Sequence, residues 1–113
     1  MLILPIKKQW YYMILSGEKK EEYREIKPYY SKRFANKGLI TAHNFDGGDT
    51  KYEVFPERPW LETLEIMFRN GYSADSPSFV AVCTVNTGYG NPDWGAEPGK
   101  EYYVLKILDI ESE

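Results

Sequence analysis

Cysteine and histidine are nearly absent from this chain, with one of each, Cys83 and His43. A lone cysteine excludes an intrachain disulfide framework and fits a reducing compartment. Within the apolar run Phe79–Val85 it reads as a small buried thiol, not as a nucleophile. One histidine, with no cysteine or second histidine at ligand spacing, falls short of the four ligands of a zinc site, so neither a metal nor another cofactor is expected. Asp46-Gly47-Gly48-Asp49 lacks the alternating oxygen ligands and closing Glu of a calcium loop and reads as a turn. Gly88-Tyr89-Gly90 has no third glycine and no following helix, which excludes a dinucleotide loop. Gly-x-Ser-x-Gly, Walker and kinase patterns are all missing, as are repeats, heptads and low-complexity tracts. No apolar run approaches the ~20 residues needed to cross a bilayer. Met1–Pro5 is too short for a signal peptide, and Lys7 and Lys8 follow it instead of preceding it. A cytoplasmic protein away from the membrane is the expectation.

What the chain does contain suits one globular domain over residues 1–113, a monomer by default. It is 42% hydrophobic and 27% charged, too apolar and too balanced for disorder. Aromatic residues make up 16%, ten of them Tyr. Tyr and Trp can bury an apolar body and keep a polar tip wet, so they serve a small core or a stacking surface equally well. The net charge of −3 argues against indiscriminate polyanion binding. It is unevenly spread: residues 1–51 hold ten Lys and Arg against six Asp and Glu, a balance of +4, and residues 52–113 hold four against eleven, a balance of −7. The basic side chains are therefore concentrated where a phosphate-bearing ligand could meet them.

Leu2–Ile6 reads as a first strand. Trp10, Tyr11, Met13 and Ile14 fall at helical spacing within Lys8–Leu15, a helix ended by Ser16-Gly17 with the glycine in a left-handed turn. Of the adjacent aromatics Trp10, Tyr11 and Tyr12, the core is the favoured destination, although three in a row cannot all point inward. Glu22–Ile26 alternates as a strand, Pro28 breaks the pattern, and Tyr29–Asn36 forms a second short helix closed at Lys37-Gly38. Leu39–Phe45 and Tyr52–Phe55 suit a hairpin, and Pro56 and Pro59 mark an irregular connection carrying Trp60. Leu61–Phe68 fits either alternation or helical spacing, and a strand over Thr63–Phe68, leading into the turn Arg69-Asn70-Gly71, is the favoured reading. Ser78–Val85 is a β-branched buried strand, Asn86–Gly99 a long glycine-rich loop, and Glu101–Ile110 the closing strand. The fold class is α+β: a small curled sheet or β-barrel of five or six strands, with two short helices near the N-terminus at its mouth.

The chemistry concentrates in Gly17–Arg24, which packs six charges into eight residues after the first helix. In an extended strand Glu22, Arg24 and Ile26 face one way and Tyr23 and Glu25 the other. Glu22 and Arg24 then form a fixed ion pair that offers Arg donors to a phosphate and a carboxylate to an amino group. Lys19, in the turn before them, adds a mobile cation.

The pattern Gly17-x-Lys19-x-x-Glu22-x-Arg24, set after a first strand and a short helix, resembles the signature of the ASCH domain, a member of the PUA-like superfamily of small β-barrels. Leu2–Lys8, Phe68-Arg69-Asn70-Gly71-Tyr72-Ser73 and Trp94–Lys100 also resemble small phage and bacterial ASCH proteins, so the likeness covers most of the chain. It implies a barrel with a cleft lined by Lys19, Glu22 and Arg24, Gly17 serving the turn and Tyr23 the core, and the loop with Trp94 bordering the cleft. ASCH domains are generally inferred to bind RNA, and some act on RNA or modified nucleosides. In the branch that deacetylates N4-acetylcytidine a Thr nucleophile stands where this chain has Glu22, so that covalent mechanism does not carry over.

Arg69, Asn70 and Tyr72 sit at a strand end, where they can offer an Arg and an aromatic ring to a base, or form a hairpin turn with Tyr72 over the core. Three functions follow. The first is an RNA-binding or modified-nucleotide-binding module gripping its ligand through Lys19, Glu22, Arg24, Arg69, Asn70, Tyr72 and Trp94. The second is an enzyme on RNA or nucleosides, a ribonuclease or amidohydrolase using Lys19 with Glu22 or Tyr23. The third is a protein-interaction domain with its acidic C-terminal half as the contact surface.

Overall fold

A computed structural model describes residues 1–37, 40–44, 50–54 and 63–111, with the backbone alone for 41–44 and 50–54. The described elements run β1 (Leu2–Ile6), α1 (Lys8–Leu15), β2 (Glu21–Glu25), α2 (Pro28–Asn36), β3 (Ile40–Asn44), β4 (Thr50–Val54), β5 (Thr63–Asn70), β6 (Ser78–Tyr89), a single 3-10 turn Pro92–Trp94, and β7 (Glu101–Glu111). The class is α+β, as the alternation and the two helical stretches predict. Strand number exceeds the expected five or six: five strands form one mixed sheet in the order β1-β5-β6-β7-β2, and β3 pairs with β4 in a separate two-stranded ribbon. The Asp46–Asp49 turn, Pro56, Pro59 and Trp60 lie outside the described residues, as does Gly38.

Period two decides which face of the main sheet is buried. Leu2, Leu4 and Ile6 of β1, Ile66 and Phe68 of β5, Phe79, Ala81, Cys83 and Val85 of β6, and Tyr103 and Leu105 of β7 turn to one core. Tyr11 and Ile14, three apart on α1, close that core from one side, and Phe34 of α2 from another. Phe34 meets Tyr103 edge-on at 5.1 Å, and the buried Ser31 hydroxyl pairs with the Tyr103 hydroxyl at 2.5 Å. Pro28 starts α2 instead of merely breaking the strand before it, because its missing N–H is no loss in the first helical turn. Gly17 ends α1 at φ +84°, the left-handed conformation a glycine adopts without a Cβ penalty.

Most element boundaries shift by a residue or two from the sequence reading, and three of the differences bear on the site. β6 continues through Asn86–Tyr89, which glycine content alone assigns to a loop, because Thr87, Gly88 and Tyr89 pair with Tyr103, Tyr102 and Glu101 of β7. Cross-strand pairing with aromatic neighbours outweighs the low strand preference of Gly88. Arg69 and Asn70 belong to β5, where they register with Pro5 and Ile6 of the parallel strand β1, so the turn starts at Gly71. β2 begins one residue earlier than expected and ends at Glu25, leaving Ile26 exposed.

Antiparallel pairing of β2 with β7 sets Glu22 against Leu105 and Arg24 against Tyr103, both partners buried. This edge strand thus points charged side chains toward the inside of the curled sheet. β1 and β2 are the two edges of the sheet, yet the Arg24 guanidinium donates to the Pro5 carbonyl at 3.0 Å. The sheet curls far enough for its edges to meet through one side chain. No helix among the described residues is long and apolar enough to cross a membrane.

Burial of Cys83, wholly covered on β6, pushes its thiol up to about 12. A thiol reagent at mildly alkaline pH is therefore expected to label the native protein only at its rate of opening and the unfolded chain at once. Fast stoichiometric labelling under native conditions would contradict this core.

Candidate functional site

Three charged side chains form a chain along one wall of a cleft, two of them lining it. Gly17 turns the backbone after α1, and the Lys19 N–H donates to the Met13 carbonyl at 2.9 Å, which drives the Lys19 side chain inward. Lys19 is 1% exposed. Its ammonium lies 3.2 Å from Glu22 Oε1 and donates a short hydrogen bond to the Trp94 carbonyl. It also sits 4.5 Å from the ring centre of Trp10 and 5.1 Å from that of Tyr23. Glu22 uses its other oxygen on Arg24, with Nη2 to Oε2 at 2.9 Å. Arg24 spends further donors on the Pro5 carbonyl and, at 3.3 Å, on the Tyr30 hydroxyl. Its Nε is buried without a hydrogen-bond partner among the described residues.

The predicted side-by-side placement of Glu22 and Arg24 is therefore present. Lys19 is not the mobile cation expected of a turn residue. A lysine is almost never fully buried unless paired, and here one carboxylate, one carbonyl and two ring faces replace its water. Burial still pushes its pKa below the usual lysine value, and the neighbouring Arg24 adds to that, while Glu22 opposes both. Tyr23, expected in the core, is half-buried and stands in the cleft wall. Its hydroxyl donates to Glu21 Oε1 and accepts from the Asn91 N–H, both at 2.8 Å, and its burial raises the pKa of the phenol well above the ordinary value.

The cleft, of about 670 Å³, opens over the seam between β1 and β2. Glu22, Tyr23, Arg24, Asn70, Tyr72 and Trp94 line it, so six of the residues singled out in the sequence meet there. Two do not. Lys19 lies behind the wall, and Arg69 lines an adjoining depression instead. Aromatic residues that sequence reasoning did not assign to the site also line it: Trp10, Tyr30 and the buried Tyr102. The run Trp10-Tyr11-Tyr12 held one clue, since only Tyr11 fits the core; Tyr12 is half-exposed and Trp10 turns to the cleft. Tyr30 and Tyr102 carry no comparable signal. Basic lining residues (Lys7, Lys8, Arg24, Lys27, Lys100) outnumber acidic ones (Glu22, Glu25, Glu97), a positive bias inside a chain of net charge −3.

The segment after β6 is pinned to the cleft at several points. Asn91 N–H meets Tyr23, the Trp94 carbonyl meets Lys19, and Glu97 N–H donates to the Tyr102 hydroxyl at 3.0 Å. Gly95, at φ +101°, follows the 3-10 turn, and a Cβ there would come within 3.0 Å of the Trp10 ring. Both the backbone conformation and the close approach call for glycine. Among the described residues no group of three or more His, Cys, Asp or Glu is placed to hold a metal ion. No protein-family model, curated protein or solved structure matches the chain.

Glu22 serves two cations at once, the buried Lys19 and the largely covered Arg24. Glu22→Ala is expected to cost about 3–5 kcal/mol in chemical denaturation, the usual penalty for orphaning a buried charge; a loss below about 1 kcal/mol, the range of exposed ion pairs, would contradict the geometry. Lys19 provides a pH test. Because its pKa is lowered in the fold, the unfolded chain holds more protons as pH climbs toward the free-lysine value of about 10.4, and stability attributable to Lys19 rises with pH. Wild type is expected to gain on Lys19→Met between neutral pH and that value. A wild type that loses ground over the same range would reverse the assignment.

Proposed function

We propose that the chain is an RNA-binding, or modified-nucleotide-binding, module of the ASCH kind, built on a PUA-like barrel, with its ligand in the cleft over the β1–β2 seam. The observation that carries the reading is the charge balance of the Lys19–Glu22–Arg24 chain. One carboxylate shared by two cations leaves a positive charge uncompensated, directly behind a cleft walled by aromatic rings. Guanidinium donors suit phosphate oxygens, and the aromatic faces suit a base. The volume of about 670 Å³ falls in the range typical of small-ligand sites, about 300–1,000 Å³. Lys7, Lys8, Lys27 and Lys100 on the rim add charge that can follow a phosphodiester backbone.

A second reading, an enzyme acting on RNA or nucleosides through Lys19 with Glu22 or Tyr23, draws on the lowered Lys19 pKa, a property shared by many catalytic lysines. Against it, the Lys19 side chain is wholly covered and its ammonium is engaged on every side that the structure describes. In this arrangement Lys19 orients Glu22 and fixes Trp94, and it touches no ligand.

Trp10 and Trp94 border the cleft and report on it directly by fluorescence. Titration with short single-stranded RNA is expected to give saturable quenching whose affinity falls with salt, by a slope of about 0.7 per phosphate contact on logarithmic axes. Lys27→Ala/Lys100→Ala, two changes at solvent-exposed or half-exposed cations, should weaken binding and flatten that slope. Absence of saturable binding at low salt, with the protein folded, would overturn the proposal.

A further inference from the structure

The cleft does not end at Tyr30. Past that ring and the turn residues Gly71 and Tyr72 it runs into a second depression of about 450 Å³, beside the outward-turned Ile3 and Pro5 of β1. The two spaces share Pro5, Arg24, Tyr30, Gly71 and Tyr72, so they adjoin each other at those residues.

Its chemistry differs from that of the main cleft. Arg24, Arg33 and Arg69 line it, and among the described residues no carboxylate does. Arg24 shares Glu22, but among the described residues Arg33 and Arg69 form no ion pair. Arg69 reaches only the Met67 thioether, at 3.9 Å, which is a weak acceptor. Among the described residues Arg24 and Arg69 each keep a buried Nε without a hydrogen-bond partner, and unsatisfied buried donors are rare enough in folded proteins to need an explanation. Three guanidinium groups around one hollow, with donors unspent, repel one another and call for an acceptor-rich anion. Phosphate matches guanidinium in charge and in fork geometry. Exposed rings stand on both sides: Tyr72 at 90% exposure and Tyr29 at 55%, the latter with the Arg33 guanidinium 4.5 Å from its centre.

We infer that this depression is a second phosphate subsite, and that the ligand is a single-stranded oligonucleotide of at least two nucleotides. One nucleotide lies in the main cleft, the next phosphate lies among Arg24, Arg33 and Arg69, and the following base stacks on Tyr72 or Tyr29. The inference rests on the RNA-binding reading and narrows it, because a free nucleoside or mononucleotide would leave the arginine subsite unused.

The test is a fluorescence titration of the full chain with a 5′-phosphorylated mononucleotide, dinucleotide and trinucleotide of the same base. Wild type is expected to gain about tenfold or more in affinity from the shortest to the longest, the scale of one added stacked base with its phosphate contact. In Arg33→Ala/Arg69→Ala that gain should shrink to less than about threefold, since the added phosphate and base lose their partners. Arg33→Ala, on the half-buried surface of α2, carries the test alone if the double variant fails to fold. Mononucleotide binding with no gain on lengthening, or a gain that survives both variants, overturns the subsite and leaves the RNA-binding reading standing. Failure of every length to bind overturns both.

Discussion

The hydrogen bond from Arg24 to the Pro5 carbonyl joins the two open edges of a five-stranded sheet. Free sheet edges expose unpaired backbone groups that folded proteins cover, pair or twist away. Here the gap between β1 and β2 is spanned by a side chain, and that side chain must itself be held. Glu22 holds Arg24, Lys19 balances Glu22, and the Trp94 carbonyl holds Lys19. The order matters physically, because each group buried in this row depends on the next for the solvation it lost. An isolated charge in such a place would be strongly unfavourable, and a linked row of three is tolerable only with its hydrogen bonds complete.

The same row explains why the candidate ligand site lies where it does. A curled sheet closed by continuous backbone pairing has no opening at the seam, whereas one closed by an arginine keeps a cleft there, with a cation at its floor. The aromatic residues are arranged around the row of charges: Tyr30 beside Arg24, Trp10 and Tyr23 over Lys19, and Tyr102 against Tyr23 at 5.7 Å. The high Tyr content thus divides between two tasks that composition alone leaves merged, with Tyr11 and Tyr103 in the core and Tyr23, Tyr30 and Tyr102 around the cleft.

Much of this fold is legible in the sequence, because periodicity is a local property. β1, α1 and the closing strand follow from their apolar pattern, α2 from the Pro28 break and the Lys37-Gly38 turn signal, and Gly17 from the need for a left-handed turn. The pairing of Glu22 with Arg24 follows from the two-residue repeat of a strand. What was not legible depends on partners distant in the chain. Lys19 meets a carbonyl 75 residues away, and no local pattern distinguishes such a lysine from a solvated one. Asn86–Tyr89 reads as loop until β7 is seen pairing with it. Arg69 shares a tetrapeptide with Asn70 and Tyr72, yet the pleat of β5 and the parallel register with Pro5 send it to the neighbouring depression. Trp10 reads as core by helical spacing and becomes cleft wall only because Gly95 admits its ring.

Backbone hydrogen exchange in wild type and Arg24→Met tests the central claim most directly, since it reads each strand separately. If Arg24 ties the sheet edges together, the variant loses protection in β1 and β2, at the amides of residues 2–4, 6 and 21–25, while the amides of the central strand β6 keep theirs. Equal protection in both proteins along β1 and β2, or a loss spread evenly over all strands, would contradict the account.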